Sequence, residues 1–304
     1  MVLREVSWGS SQIALPLMGQ QTSESQASMY YTIVNCSFAV ILLVRCAGLR
    51  ESWEYYNEIA GRYDYLYEEP YWRLFHVIVE RLLADHVETL GEVLDIGTGT
   101  GRWALYLAEK GHRVIGVDLA EEMLKVASMK AEIAELNVRF LRSNADNLPF
   151  EGESFDYVLA MGDLLSYVKD STKVLKEACR VLKKDGVLIA TVDNAWAFLQ
   201  DFLSRGEYSM AKALIEGGEV PIGDSSLSRK VFVTRPFFPG EVEFRLSESG
   251  FDLIDTASVV AFYPYDERAL ASRISAAADW EYKYCRNRET FARSEHLFFC
   301  GRKR

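Results

Sequence analysis

The sequence predicts an α/β fold with a mostly parallel sheet, and two observations carry that prediction. From about residue 52 onward, short apolar segments of strand type alternate with amphipathic segments of helical spacing, which is typical of βαβ units. A glycine-rich turn links the first of these strands directly to its helix. The chain has 304 residues, of which 49% are hydrophobic and 26% charged, so it is long enough for one large domain and too apolar for a disordered protein.

The elements follow in a regular order. Residues 52–72 are aromatic and acidic with helical spacing, Pro70 interrupts them, and a second helix is predicted from about Tyr71 to Ala84. Strands are predicted at EVLDIG, RVIGVD, VRFLRSN, FDYVLAM and VLIATVD. Helices are predicted after the first, second and fourth of these, at WALYLAEK, at EEMLKVASMKAEIA and at about 171–182. Strands joined by helices pair in parallel, so the crossovers should be right-handed.

The rhythm changes after the fifth strand. Two short amphipathic helices are predicted within an insertion at 194–235, where Trp196, Phe198 and Phe202 have the spacing of core or lid residues. A helix at EVEFRLSESG and a strand at FDLIDTASVVAFY follow. A second helical insertion at 266–293 then precedes a last strand at HLFFCGRK.

The first 50 residues differ from the rest. Their apolar run from Tyr30 to Val44 contains three polar residues and is shorter than the roughly 20 residues that span a bilayer as a helix. No basic region directly precedes it, as one would in a signal peptide. We expect a loosely docked, poorly ordered extension or the product of a start codon placed too early. A packed extra helix and a membrane anchor are the alternatives, and no stable membrane insertion is expected.

Charge and residue content restrict the partners. The formal net charge is −10; residues 1–50 carry +1, so residues 51–304 carry −11, which argues against DNA or RNA as a partner. Scattered cysteines without a CxxC pair are typical of reduced thiols in a cytoplasmic protein. Scattered histidines without an HExxH motif give no reason to expect a metal site. The cysteines are Cys36, Cys46, Cys179, Cys285 and Cys300, and the histidines are His76, His86, His112 and His296.

The segment VLDIGTGTGRWALYLAEKGHRVIGVDLA combines a strand, a glycine loop, a helix, a second strand and a terminal acid. Gly97, Gly99 and Gly101 directly follow the strand and open the helix, where glycine permits a sharp turn and the close approach of a ligand. Asp118 ends the second strand, where an acid can accept hydrogen bonds from two ribose hydroxyls. Capping of the following helix is its alternative role.

Two details distinguish between nucleotide ligands. A nicotinamide site usually reads GxGxxG, whereas this loop reads GxGxG. Asp95 stands two residues before the first glycine, where its anion would repel a pyrophosphate and suit a cationic group. S-adenosylmethionine carries a sulfonium and an ammonium and no phosphate, so the electrostatics favour it over NAD.

VLDIGTGTG resembles the first motif of the class I S-adenosylmethionine-dependent methyltransferases. SNADNLPFEGESFDYV resembles their adenine-side motif, LKEACRVLKKDGVLIATV the helix and fifth strand, and EVEFRLSESGFDLI the late helix and sixth strand. The similarity runs through most of the chain from Ser52 and is closest to the small-molecule enzymes, including the quinone-type ones. It implies a Rossmann-like, doubly wound sheet of seven strands, mostly parallel with an antiparallel last strand. Helical insertions would follow strands 5 and 6 in a domain at 51–304, preceded by the extension at 1–50.

The resemblance also implies S-adenosylmethionine as the cofactor, with its aminoacyl end at the glycine loop, its ribose at Asp118 and its adenine farther along the chain. Asn144 stands where the family often has an acid, so its side-chain oxygen would accept from the adenine amino group. By position, the cofactor-binding residues are Asp95, Gly97, Thr98, Gly99, Gly101, Asp118, Leu119, Met123, Asn144, Ala145, Met161 and Tyr63.

The acceptor side is implied less specifically. Gly162 and Asp163 follow the fourth strand and would lie beside the methionine moiety and the acceptor, although Asp163 has capping of the next turn as its alternative role. Tyr56 and Tyr63 would cover the cofactor, because a tyrosine face attracts a sulfonium; plain core packing is the alternative. Tyr56, Asp163 and Asp193 are candidate substrate contacts. The candidate bases, if the acceptor must lose a proton, are Asp163, Asp193 and Tyr63.

The acceptor is expected to be a small molecule that is methylated on oxygen, nitrogen or carbon. The segment MGDLLSYV lacks the D/N/S-P-P-Y/F/W motif of amino-methylating nucleic-acid enzymes, and no Pro-Cys motif of cytosine-carbon enzymes is present. The apolar insertion favours a partly hydrophobic acceptor, such as a quinone or lipid precursor, under a lid made of 194–235, 266–293 and the helix at 52–67. A nicotinamide-dependent oxidoreductase and a non-catalytic regulatory protein that binds the cofactor are the alternatives.

Overall fold

A computed structural model describes residues 51–223, 227, 228, 230–262 and 265–304. The expectations for residues 1–50 therefore lie outside the described residues. Among the residues described, no helix is both long enough and apolar enough to cross a membrane.

A seven-stranded sheet organises the described chain, with the order β3-β2-β1-β4-β5-β9-β8. All neighbours pair in parallel except those of β9, which runs antiparallel to both β5 and β8. The predicted sheet is confirmed, including its antiparallel last strand. The strands are β1 Glu92–Ile96, β2 Arg113–Asp118, β3 Val138–Arg142, β4 Phe155–Ala160, β5 Leu182–Asp193, β6 Val220–Ile222, β7 Phe232–Thr234, β8 Phe251–Val259 and β9 His296–Lys303.

Helices cover the sheet, and several begin where the sequence signals a start. Pro70 occupies the first turn of α2, where a missing N–H has no cost, and Asp170 accepts a hydrogen bond from the Lys173 N–H at the start of α6. The helices are α1 Ser52–Leu66, α2 Pro70–Ala84, α3 Arg102–Glu109, α4 Glu121–Ile133, α5 Leu164–Tyr167, α6 Ser171–Val181, α7 Ala195–Ser204, α8 Tyr208–Gly217, α9 Pro239–Glu248, α10 Glu267–Tyr284 and α11 Arg288–Phe291.

The side chains of the central strands are buried, as expected for strands in the middle of a sheet. Leu94, Val158, Leu188 and Phe299, from four neighbouring strands, are all essentially inaccessible to solvent and belong to one apolar cluster. Strands buried on both faces read as continuous apolar runs, which is how they appear in the sequence. This arrangement brings the carboxyl ends of β1, β2, β4 and β5 to one edge of the sheet.

The two insertions have different surroundings. The first contains α7, α8 and a hairpin of β6 and β7 that the sequence did not reveal, because each strand has only three residues. Phe198 and Phe202 are buried as expected, whereas Trp196 is exposed and meets Phe238 edge-on. The second insertion packs on α2 through an ion pair between Arg81 and Asp279.

Candidate active site

The glycine loop connects β1 to α3 in a conformation that requires glycine. Gly97, Gly99 and Gly101 all have positive φ, at 70°, 54° and 82°. The N–H groups of Gly97 and Thr98 both donate to the Val117 carbonyl of β2, which ties the loop to the neighbouring strand. A side chain at Gly99 would meet only the Met123 methyl group at 3.9 Å. Gly97 and Gly99 are partly accessible between buried neighbours, so a ligand can reach their backbone from solvent.

Asp95 lies buried on β1 beneath this loop. Its Oδ2 accepts a hydrogen bond from the Thr98 hydroxyl at 2.6 Å. Burial raises the pKa of the Asp95 carboxyl to about 7, since the hydrogen bond from Thr98 compensates only part of the lost hydration. An approaching cation would relieve this cost, which suits the ammonium group expected here.

Asp118 ends β2 with its carboxylate turned back to the loop. Oδ2 accepts from the Gly99 N–H at 2.9 Å and Oδ1 from the Ala120 N–H at 2.8 Å. The residue at the cap position of α4 is Ala120 and not Asp118. Asp118 lies two residues before the cap, and its carboxylate holds the glycine loop through the Gly99 N–H. Each carboxylate oxygen has a second lone pair, which leaves acceptor capacity for ribose hydroxyls.

Only some of the residues expected to bind the adenine lie together in the structure. Met123 is buried with Ala120 beneath α1, and Leu119 is half-buried beside them. Ala145 is buried, but Asn144 is exposed and its side-chain oxygen accepts from the Asp146 N–H at 3.3 Å. That contact uses one of the two lone pairs of the Asn144 oxygen and leaves the other for the adenine amino group, so this assignment stays a prediction.

The segment after β4 turns sharply at Gly162 and Asp163, which both have positive φ. Gly162 is exposed, whereas Met161 and Asp163 are buried. Asp163 stands at the cap position of α5, yet its side chain makes no capping hydrogen bond. The carboxylate instead lies against His296, with Oδ2 at 3.0 Å from Nδ1.

Asp193 and His296 complete this acidic end of the site. The two residues are register partners on β5 and β9. Asp193 Oδ1 lies 3.8 Å from His296 Nδ1, and its Oδ2 accepts from the Thr234 hydroxyl at 2.8 Å. Burial alone would lower the pKa of His296, but the charges of Asp163, Asp193 and Glu295 outweigh it and raise that pKa to about 9. Sequence reasoning missed His296.

Aromatic rings of α1 face the same region. The Tyr56 ring lies 5.9 Å from that of Tyr63, 6.2 Å from Tyr167 and 5.7 Å from Phe232 of the hairpin, measured between centroids. Burial raises the pKa of Tyr63 to about 12. Burial, and then the charges of neighbouring tyrosines, Asp193 and Asp163, raises the pKa of Tyr56. The two tyrosines thus pack with each other and Tyr56 also packs with the hairpin, and their role as a cover for the cofactor stays a prediction.

Three hydrogen bonds that the sequence did not reveal join α1 to the glycine loop and to α4. Asp64 accepts from the Thr100 hydroxyl of the glycine loop at 2.6 Å and from Lys130 of α4 at 2.8 Å. Asn57 accepts from the Glu122 N–H at the start of α4 at 2.9 Å. The helix α1 is therefore held across the loop rather than packed on the sheet alone.

The first insertion meets α1 from the acceptor side. Glu58 accepts from the Ser228 hydroxyl at 2.9 Å and lies 3.4 Å from Lys230 Nζ. Arg62 donates to the Leu227 carbonyl at 2.7 Å. These contacts join the first insertion to α1. The lid made of 194–235, 266–293 and the helix at 52–67 stays a prediction.

S-adenosylmethionine fits the residues on these strand ends. A loop with positive φ gives close backbone approach, Asp95 and Asp118 provide anionic acceptors, and Tyr56 and Tyr63 provide aromatic faces for a sulfonium. A pyrophosphate would meet the carboxylate of Asp95.

Comparisons with known proteins agree with this arrangement. A family described as a methyltransferase domain matches residues 93–186. An uncharacterised protein of Methanocaldococcus jannaschii is 31% identical over 207 residues, which cover 67% of this chain and 77% of the relative. The ubiquinone/menaquinone biosynthesis C-methyltransferase of Rickettsia massiliae is 30% identical over 210 residues, 65% of this chain and 83% of the relative.

Solved structures share the fold. A protein of Pyrococcus horikoshii superposes with a TM-score of 0.54 at 23% identity, covering 75% of this chain and 89% of that one. A S-adenosylmethionine-dependent methyltransferase of Methanosarcina mazei superposes with a TM-score of 0.55 at 23% identity, covering 73% of this chain and 96% of that one.

Proposed function

The chain belongs to the class I S-adenosylmethionine-dependent methyltransferases, and from that premise we propose that it methylates a small, partly apolar acceptor at the edge formed by Asp163, Asp193 and Tyr56. Membership of this enzyme family sets aside both the nicotinamide-dependent and the non-catalytic alternatives. The single observation that carries the proposal is the common placement of the glycine loop, the two buried acids and the aromatic face of α1.

When bound, S-adenosylmethionine supplies a methyl group on a positively charged sulfur. The nucleophilic atom of the acceptor would bond to the methyl carbon in line with the carbon–sulfur bond, which breaks. The residues of this chain would then serve mainly to align the acceptor and exclude water. Asp95 would bind near the aminoacyl end of the cofactor and Asp118 would bind its ribose. The backbone of the glycine loop would lie against the cofactor. Tyr56, Tyr63 and the hairpin residue Phe232 would close over the methyl end.

The aromatic residues around the proposed acceptor position support an acceptor that is partly apolar. Tyr56, Tyr167 and Phe232 form mutual ring contacts beside Asp163, and aromatic side chains favour flat, apolar ligands. The relative from Rickettsia massiliae is a C-methyltransferase of ubiquinone/menaquinone biosynthesis, which supports an aromatic or quinol-like acceptor here. The net charge of −11 on residues 51–304 argues against a nucleic acid.

A binding and transfer experiment tests the proposal. The protein is titrated with S-adenosylmethionine by calorimetry, then incubated with the cofactor and panels of quinols, phenols, amines and lipid precursors, and products are found by a mass gain of one methylene. We expect cofactor binding and methylation of a quinol or phenol. Asp118→Asn should weaken cofactor binding by about 10-fold or more, because hydrogen bonds to a charged group are lost.

Asp252→Asn is the matched control. It makes the same charge change on β8, outside the residues assigned to the cofactor, where the exposed Asp252 lies 3.8 Å from Arg304. It should leave cofactor binding unchanged. Equal effects of the two substitutions would contradict the assignment of Asp118, and methylation confined to amines would contradict the proposed acceptor class.

A further inference from the structure

Three buried side chains from separate strand ends converge beside the proposed acceptor position. Asp163 follows β4, Asp193 ends β5 and His296 begins β9. One ligand atom from each, a carboxylate oxygen or a ring nitrogen, lies within 4.8 Å of the others. The shortest separations run from His296 Nδ1 to Asp163 Oδ2, 3.0 Å, and to Asp193 Oδ1, 3.8 Å. Such separations are typical of atoms that share one metal ion at about 2.0–2.2 Å.

The contact between His296 and Asp163 is short but is not aligned as a hydrogen bond. Within the part of the chain that the structure describes, both ring nitrogens of His296 and Oδ1 of Asp163 are buried without an aligned hydrogen bond, and Nδ1 has only its 3.0 Å and 3.8 Å ionic contacts to the two carboxylates. The pair of His86 and Asp255, by contrast, forms an aligned hydrogen bond at 2.8 Å. Buried polar atoms without partners are costly, so an atom that satisfies them would stabilise the site.

We propose that Asp163, Asp193 and His296 bind one divalent transition-metal ion. One imidazole nitrogen and two carboxylate oxygens form a donor set that suits Zn²⁺, Mn²⁺ and related ions better than Mg²⁺, which prefers oxygen ligands. The Thr234 hydroxyl donates to Oδ2 of Asp193, the oxygen farther from the histidine contact, and so fixes the orientation of that carboxylate as outer-shell groups do in metal sites. The ion takes the place of the proton on His296.

The position of the cluster indicates what the bound ion would do in the proposed reaction. Three protein ligands leave coordination positions open, and Gly162, which directly precedes Asp163 in the chain, is exposed to solvent. An oxygen of the acceptor bound to the ion would be oriented and made more acidic. This use rests on the proposed function, whereas ion binding itself does not. No spacing motif announces the site, because its ligands lie 30 or more residues apart in the sequence.

The experiment measures ion binding directly. Protein freed of metal by a chelator is titrated with Mn²⁺ and, separately, with Zn²⁺ by calorimetry, and the bound ion is counted by elemental analysis. We expect one ion per chain, with affinity lowered about 100-fold or more in Asp163→Asn, Asp193→Asn and His296→Gln. Thr234→Val should lower it about 10-fold, as loss of an outer-shell partner does.

His86→Gln is the matched control, because it breaks the other histidine–carboxylate pair and should leave ion binding unchanged. Retained S-adenosylmethionine binding shows that each variant is folded, and Thr234→Val serves if a ligand variant fails to fold. The proposal is overturned if the wild-type chain binds neither ion at millimolar concentration, or if the three ligand variants bind like the wild type. Methyl transfer that persists unchanged without metal overturns the use of the ion but leaves the proposed function standing.

Discussion

Replacing the buried carboxyl of Asp95 should stabilise the protein in the absence of ligand and weaken its hold on the cofactor. Burial raises the pKa of Asp95 from 3.8 to about 7. A group whose pKa is raised on folding costs stability as the pH rises from its unfolded to its folded value, and the full cost applies above the folded value. At 1.36 kcal/mol per pH unit, the ionised carboxyl costs about 4 kcal/mol above pH 7.

Asp95→Asn removes this cost but weakens the hydrogen bond from Thr98, which contributes about 1 kcal/mol. We therefore expect a gain of about 2–3 kcal/mol at pH 8. At pH 5 the wild-type carboxyl is mostly protonated when folded, so the gain should be smaller by about 2–3 kcal/mol. Urea unfolding of both proteins at pH 5 and pH 8, without ligand, measures the two differences.

Thr98→Val is the control for the hydrogen bond. It removes the only side-chain donor to Asp95 among the contacts described, so it should destabilise more at pH 8 than at pH 5. An equal gain from Asp95→Asn at both pH values, or a loss of stability at pH 8, would contradict the burial cost assigned to this carboxyl. The same variant should bind S-adenosylmethionine at least about 10-fold more weakly, since the neutral amide cannot pair with an ammonium.

Three other predictions concern the frame around the site. Asp255→Asn should destabilise the protein by about 1–2 kcal/mol at pH 7, because hydrogen bonds from His86 and Arg286 outweigh burial and lower the pKa of Asp255 to about 2. The loss should shrink as the pH falls from about 4 to 2, and urea unfolding at pH 7 and at pH 2 measures the difference. Asn194→Ala should lower Tm by roughly 6–12 °C in calorimetry, since it removes two buried donor bonds and a helix cap. Glu58→Ala should raise the acceptor KM about two- to five-fold and leave cofactor binding unchanged, because it removes the Glu58 contacts to Ser228 and Lys230 that help to hold the first insertion on α1.

The parts of the fold that local sequence determines were predictable. The glycine loop, the strand before it and Asp118 lie within one βαβ unit, where short-range spacing sets the geometry. The family resemblance implied the antiparallel last strand, and the sheet confirms it. The three-residue strands of the hairpin were missed because they are too short to show alternation.

The contacts that complete the candidate site depend on long-range register. His296 meets Asp193 only because the last strand runs antiparallel beside the fifth, which no local pattern reveals. The one available signal was a polar residue at the start of the apolar strand HLFFC. The bonds from Asp64 to Thr100 and Lys130 likewise join elements that are distant in the chain.

The position of the transferred methyl group is the most direct test of the account. Protein loaded with S-adenosylmethionine carrying a ¹³C methyl group gives isotope-edited nuclear Overhauser contacts from that methyl to nearby protons. We expect contacts to aromatic ring protons that disappear in Tyr56→Leu or Tyr63→Leu, because these two rings pack together at 5.9 Å and are proposed to cover the sulfonium. A methyl signal from the bound cofactor without contacts to either ring would contradict the placement of its reactive end.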